Sequence, residues 1–315
     1  VRHDESVPPT ARRPKLSAAA ALTVLCLGVS GCGGDSGAQA QPGKGGDPAP
    51  PSAAASAPVT ASPATPSPVR TSPAPSKKPA SPSPSTPAPA SGPLSGKTVV
   101  IDPGHNPDNH LHTAEINRQV DIGTTHKECD TTGTSTNSGY AEARFTLDVS
   151  HRLRTLLQAQ GAKVILTYDD DRAFGPCVDE RARIGNKAGA DAVVSVHADG
   201  SAVGNRGFHV ILPASVRGGG ADTSKIVGPS RDLGTRIAGL FVRATGSAPS
   251  NYIGGNTGLD TRKDLGGLNL STVPKVFIEC GNMRDPKDAA LLTSAGWRQK
   301  AAQGIADGIS SYLRG

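Results

Sequence analysis

Sixteen of the 27 prolines in this chain lie between Pro42 and Pro93, whereas every Phe, Tyr and Trp lies after residue 139. That partition decides how much of the 315 residues can fold. A run such as PAPSKKPASPSPSTPAPASG offers too little apolar bulk to offset the entropy of ordering it. Residues 33–95 therefore read as a disordered Pro/Ala/Ser-rich linker, partly polyproline, able to reach up to roughly 190 Å at about 3.1 Å per residue. Folding is left to residues 96–315, enough for one domain with its own core.

Ahead of the linker stands ARRPKLSAAAALTVLCLGVSGC. Arg12, Arg13 and Lys15 precede an apolar run too short to span a membrane, and small residues follow, the order of an export signal. The paired arginines weakly resemble a twin-arginine signal. The ending Val29-Ser30-Gly31-Cys32 resembles the lipobox of bacterial lipoproteins, so residues 1–32 are expected to be an export signal with Cys32 as the lipidated residue and only membrane anchor. Cleavage after Ala38–Ala40, giving a freely secreted protein, is the competing expectation. Either outcome is extracytoplasmic.

The net charge of +6 is concentrated in the N-terminal third: residues 1–95 carry eight Lys/Arg and four Asp/Glu, against 25 and 23 in the rest. The nearly neutral remainder has no basic run and no basic aromatic platform, which argues against nucleic acid. Of five cysteines, Cys26 and Cys32 fall in the signal. In an oxidising exterior two of Cys129, Cys177 and Cys280 can pair. Cys129 and Cys177 stand in turn-rich sequence and are the expected pair, with Cys280, at the end of an apolar strand, reduced; the other pairings stay open.

From Gly96 onward short apolar runs alternate with helical periods, the pattern of an α/β sheet covered on both faces. Strands are expected at TVVID (98–102), KVILT (163–167), AVVSV (192–196), FHVIL (208–212) and KVFIE (275–279), in a twisted, mostly parallel sheet of about six strands. Helices are expected near 141–160, where Phe145, Val149, Leu153, Leu156 and Leu157 recur at helical spacing, and near 178–189, 230–245 and 296–313. In the last, Gly304 and Gly308 allow close approach at some cost in propensity.

Three polar residues fall at comparable places: His105 just past the first strand, His197 at the end of the third and Glu279 at the end of the last. Ligands of open α/β sheets gather at the carboxyl ends of the strands. Two imidazoles lack a third ligand to make a hydrolytic zinc site, which takes three protein ligands and keeps one position open. Glu142, opening its helix, is the best candidate, ahead of Glu115 and Glu128. His110, His112 and His126 read as solvated loop residues, and His209 as a strand residue with a local partner. Asp102 can orient an imidazole or begin a turn; Arg181 and Asn186 can support the ligands or merely brace their helix.

At these residues the sequence resembles the zinc-dependent N-acetylmuramoyl-L-alanine amidases of the type-3 family, from about Gly96 to Leu313. The matching pieces are VVIDPGH with His105, Glu142 leading its helix, ERARIGNKAGADAVVSVHADG with Arg181, Asn186 and His197, and VPKVFIECGNMRDPKDAALL with Glu279. The resemblance implies one Zn2+ held by His105, Glu142 and His197, with Glu279 as the catalytic carboxylate. It also implies peptidoglycan or muropeptides as substrate, cut between N-acetylmuramic acid and L-alanine; the enzyme is expected to be a monomer. Two departures stand out: 36 residues separate His105 from Glu142, where the family has a short connection, and Asp199 replaces the usual Asn. A Cys129–Cys177 bridge would pin this extra loop, residues 106–139, beside the site as a wall or lid. A zinc carboxypeptidase for stem peptides and a non-catalytic peptidoglycan-binding lipoprotein are the competing readings. The first lacks H-x-x-E and H-E-x-x-H spacing.

Overall fold

The structure, a computed structural model, describes residues 91–315. The export signal, Cys32 and nearly all of the expected linker lie outside the described residues. Leu94, just ahead of the expected boundary at residue 96, is fully buried in the main core, and its N–H donates to Gln160 O at 2.9 Å. A single leucine among Pro, Ser and Gly has no period to betray it.

The chain runs through β1 (Thr98–Pro103), α1 (Thr113–Ile116) and a hairpin of β2 (Gln119–Asp121) and β3 (His126–Glu128) before α2 (Glu142–Ala159) and β4 (Lys163–Leu166). Next come α3 (Val178–Lys187), β5 (Ala192–Asp199), β6 (His209–Pro213), a short ribbon of β7 (Arg217–Gly218) and β8 (Ala221–Asp222), and α4 (Val227–Thr245). It ends with β9 (Leu259–Arg262), α5 (Gly266–Asn269), β10 (Lys275–Asn282), α6 (Pro286–Leu292) and α7 (Ala295–Arg314). Six strands form one sheet in the order β4-β1-β5-β10-β6-β9. The first four are mutually parallel; β6 is antiparallel to β10, and β9 is parallel to β6. The five expected strands and four expected helices are all present. The sixth strand, LDTR, is short and only half-buried, so it lacks the apolar run that marks the others.

Side chains alternate across a strand, so each strand serves two different environments. Val99 and Ile101 of β1, Val194, Val196 and Ala198 of β5, and Val276, Ile278 and Cys280 of β10 all face one core. Phe145, Val149, Leu153 and Leu157 of α2, Leu233, Ile237 and Phe241 of α4, and Trp297, Ala301, Ile305 and Ile309 of α7 close over it. The opposite face carries Val100 and Val193 in a smaller cluster with Ile184 of α3, and then turns polar. Asp102, Ser195, His197, Lys275, Phe277 and Glu279 all belong to that second face by the two-residue period.

Cys129 and Cys177 form a disulfide, and Cys280 is buried and free. The bridge ties the segment after the β2–β3 hairpin to the residue before α3. Both cysteines are buried with Val120 and Ile122, so the long loop has a small core of its own.

Candidate active site

Each part of the site sits where the strand ends leave it. β1 stops at Pro103, and the turn through Gly104 delivers His105 with φ 62°. Gly104 is required there because a Cβ would lie 2.3 Å from Cε1 of His197. β5 carries His197 to its carboxyl end, directly opposite Glu279 of β10 in the parallel register. Glu142 is the first residue of α2, where the helix dipole favours a negative charge. Its Oε1 accepts from the Ala198 N–H at 3.1 Å and its Oε2 from the Thr134 N–H at 2.9 Å.

These three side chains converge. His197 Nδ1 is 2.9 Å from Glu142 Oε1, and His105 Nε2 is 3.2 Å from Glu142 Oε2. The two imidazoles meet edge to face with centroids 4.9 Å apart, and one ligand atom from each of the three residues lies within 4.8 Å of the others. The group could hold a metal ion. The far nitrogen of His105, Nδ1, is 3.1 Å from Thr131 O and 3.4 Å from Asp130 Oδ1. A proton kept there leaves the Nε2 lone pair facing the group, as a ligand imidazole needs. Phe277 stacks on the His197 ring at 5.4 Å.

The electrostatics suit a cation. Burial opposes charge on the His105 ring, but the Glu142 carboxylate and then Asp130 outweigh it and raise its pKa well above the usual imidazole value. Burial likewise opposes charge on Glu142, and His105 and His197 outweigh it and lower its pKa. A buried carboxylate that draws a proton onto the His105 ring can instead be neutralised by a divalent ion shared among all three residues.

Glu279 behaves differently. It is half-buried, with its Oε2 sealed from solvent and without a hydrogen-bond partner among the described residues. Burial first, and then the negative charges of Glu142 and Asp199, push its pKa well above the carboxylate range. It lines a hollow of about 290 Å³ together with His105, Glu142, His197, Asp199 and Arg262. A second hollow of about 230 Å³ shares His105, Thr131, His197, Leu265 and Phe277 with the first and is walled by Lys127, Glu128 and Asp130 of the long loop. The loop is thus a wall of the cleft.

Of the residues expected to support the ligands, Asp102 touches no imidazole. It accepts from Lys275 Nζ at 3.0 Å, Arg181 at 2.9 Å, Thr167 Oγ1 at 2.7 Å and Ser195 Oγ at 2.9 Å. Arg181 bonds both Asp102 and the His105 carbonyl. Asn186 lies elsewhere, holding Leu270 O and the Thr272 N–H in the connection into β10. His209 sits in β6, opposite Glu279, with the Tyr252 ring meeting it edge on at 6.1 Å and no hydrogen-bond partner for its Nδ1 among the described residues. Asp199 accepts from the Tyr252 hydroxyl. His110, His112 and His126 stay in the long loop, outside the three-residue group. Lys275, Asp130 and Thr131 gave no readable signal: a lysine opening an apolar strand reads as a solvated end, and a loop Asp-Thr reads as a turn.

Comparison with known proteins agrees with this geometry. The N-acetylmuramoyl-L-alanine amidase family model, Amidase_3, matches residues 99–311. The chain is 43% identical over 221 residues to N-acetylmuramoyl-L-alanine amidase Rv3717 of Mycobacterium tuberculosis, covering 70% of this chain and 88% of that protein. The crystal structure of the amidase Ami1 from Mycobacterium smegmatis superposes with a TM-score of 0.65 at 40% identity, over 70% of this chain and 98% of that one. Ami1 from Mycobacterium abscessus gives 0.63 at 41% identity, over 70% of this chain and all of that one. The family model spans most of the folded unit and the Mycobacterium tuberculosis relative is covered nearly end to end, so the chain is a peptidoglycan hydrolase and belongs to the N-acetylmuramoyl-L-alanine amidase family.

Proposed function

We propose that His105, Glu142 and His197 hold a zinc ion and that Glu279 moves the protons in hydrolysis of the amide between N-acetylmuramic acid and L-alanine. The observation that carries this is the contrast between carboxylates: Glu142 is pinned by two backbone N–H groups against two imidazoles, while Glu279 shares the same hollow with a free oxygen. Two imidazoles and one carboxylate are a ligand set that zinc hydrolases use with a fourth position open. When bound, zinc supplies Lewis acidity toward the scissile carbonyl and lowers the pKa of water to about 7. Glu279 accepts the proton of the attacking water as the C–O bond forms, then returns it to the alanine nitrogen as the C–N bond breaks. The Cys129–Cys177 bridge fits an oxidising, extracytoplasmic setting. Attachment through Cys32 and a tethering role for residues 33–95 belong to the same proposal.

Mass spectrometry of defined muropeptides tests the reading. Wild-type protein should release intact stem peptides bearing a free L-alanine amine and lose this activity with chelator. Release of a D-amino acid would mean a carboxypeptidase, and binding without cleavage a non-catalytic binder. Glu279→Gln should keep zinc at one per chain and lose roughly a hundred- to ten-thousandfold in kcat. Near-wild-type turnover by that variant would remove Glu279 from the role.

A further inference from the structure

His105 occupies the left-handed backbone region that residues with a Cβ rarely adopt, so something must hold it there. Arg181 of α3 is 5% exposed, and its guanidinium carries five N–H donors. All five have acceptors. Nε donates to Pro176 O at 2.8 Å; Nη1 donates to Asp102 Oδ1 at 2.9 Å and to Pro103 O; Nη2 donates to His105 O at 2.9 Å and to Asp130 Oδ2 at 3.0 Å. Two of these acceptors are the carbonyls on either side of Gly104, and one of those is His105's own. The other carboxylate oxygen of Asp130 lies 3.4 Å from His105 Nδ1, beside the Thr131 carbonyl at 3.1 Å. One planar group thus grips the backbone of His105 and the residue that faces the back of its ring.

We propose that Arg181 is a positioning residue of the metal site. It holds the Pro103–His105 turn in its left-handed course through the two carbonyls, and it fixes Asp130 so that His105 keeps its Nδ1 proton and presents Nε2. Asp102, locked by Lys275, Thr167 and Ser195, anchors the guanidinium from the strand side. Lysine preserves the charge but offers three donors around a point, which cannot reproduce a planar fork reaching five acceptors. The assignment rests on the zinc reading above.

The test is zinc affinity, measured on the full chain by competition with a chromogenic chelator, with circular dichroism of the metal-free form as the check on folding. Arg181→Lys should weaken zinc binding tenfold or more, the range seen when groups behind a ligand imidazole are altered. Asp130→Asn should weaken it several-fold. Arg183→Lys, an exposed position on the same helix, should bind as wild type. A folded Arg181→Lys protein with wild-type affinity overturns the assignment, because a merely stabilising arginine would lower the melting temperature of the apoprotein without changing the affinity. If Arg181→Lys does not fold, Asp130→Asn decides: unchanged affinity overturns the proposal, and weakened binding supports it. Wild-type protein that takes up no zinc would sink both this inference and the zinc reading, whereas equal affinities in wild type and variants sink this one alone.

Discussion

The polar face of the sheet depends on a few residues that allow no ordinary substitute. Gly133, with φ 71°, passes so close that a Cβ would lie 2.7 Å from Cδ2 of His105 and 2.9 Å from Oε2 of Glu142. Lys275 is 1% exposed, and its ammonium rests on Asp102 with the Phe277 ring 5.3 Å away. Burial would push Asp102 upward, but Lys275 and then Arg181 hold its carboxyl well below the carboxylate range. A carboxyl depressed in the folded state binds fewer protons there than in the unfolded chain. The stability it contributes is therefore complete above its unfolded pKa, near 3.8, and is lost as pH falls below it. Lys275→Met leaves Arg181 as the one strong cation at Asp102 and narrows that gap. Urea titrations should show a loss of about 3 kcal/mol at neutral pH and a shallower decline than wild type between pH 4 and 2.5. Parallel acid limbs would mean that Lys275 does not set the Asp102 carboxyl.

Among the elements, those with a strong period were legible and those defined by partners were not. The α2 stripe of Phe145, Val149, Leu153 and Leu157 predicted both the helix and its buried face, and thereby placed Glu142 at its start despite the long insertion. His105, His197 and Glu279 were legible because each closes a strand whose end faces the same edge. The β9 strand and the Arg181 grip were not, since each is stabilised by pairing or bonding between residues far apart in sequence; the β2–β3 hairpin is local, but its strands are too short and too exposed to show an apolar alternation. The glycines of α7 were legible as a close approach, and α4 is what approaches: a Cβ at Gly308 would stand 2.5 Å from Ile237 Cα, and one at Gly304 would stand 2.8 Å from Phe241 Cα. Backbone cannot move aside as a side chain can. Gly308→Ala should lose up to about 2 kcal/mol, since overpacking against backbone costs up to about 3 kcal/mol and the helix-propensity gain is about 1. Gly239→Ala in α4 meets open space and should gain up to about 1 kcal/mol. Chemical denaturation of both variants gives the comparison, and equal signs would contradict the close packing of the two helices.

At the scale of the whole folded unit, one sheet divides its labour by face. One set of alternate residues buries the three long helices against a dry core, and the other set carries charges, imidazoles and the cleft. The apolar side does not need the metal to form, so the strands bring His105 and His197 together before any ion arrives. The polar side does need compensation: without an ion, the buried Glu142 carboxylate raises the pKa of the His105 ring beside it and draws a proton there. Zinc should therefore bind the folded protein strongly and stabilise it without being required for folding. At a free concentration one hundred times Kd this amounts to about 2.7 kcal/mol, which for a unit of this size raises Tm by roughly 5–10 °C. Calorimetry of chelated and zinc-loaded protein should show that shift, with a cooperative transition in both. On the proposed roles, proton transfer for Glu279 and metal ligation for His197, Glu279→Gln should retain the shift and His197→Ala should abolish it. A chelated protein that is unfolded would make the ion a requirement for folding, and a His197→Ala variant that still responds to zinc would place the metal somewhere other than the carboxyl edge of the sheet.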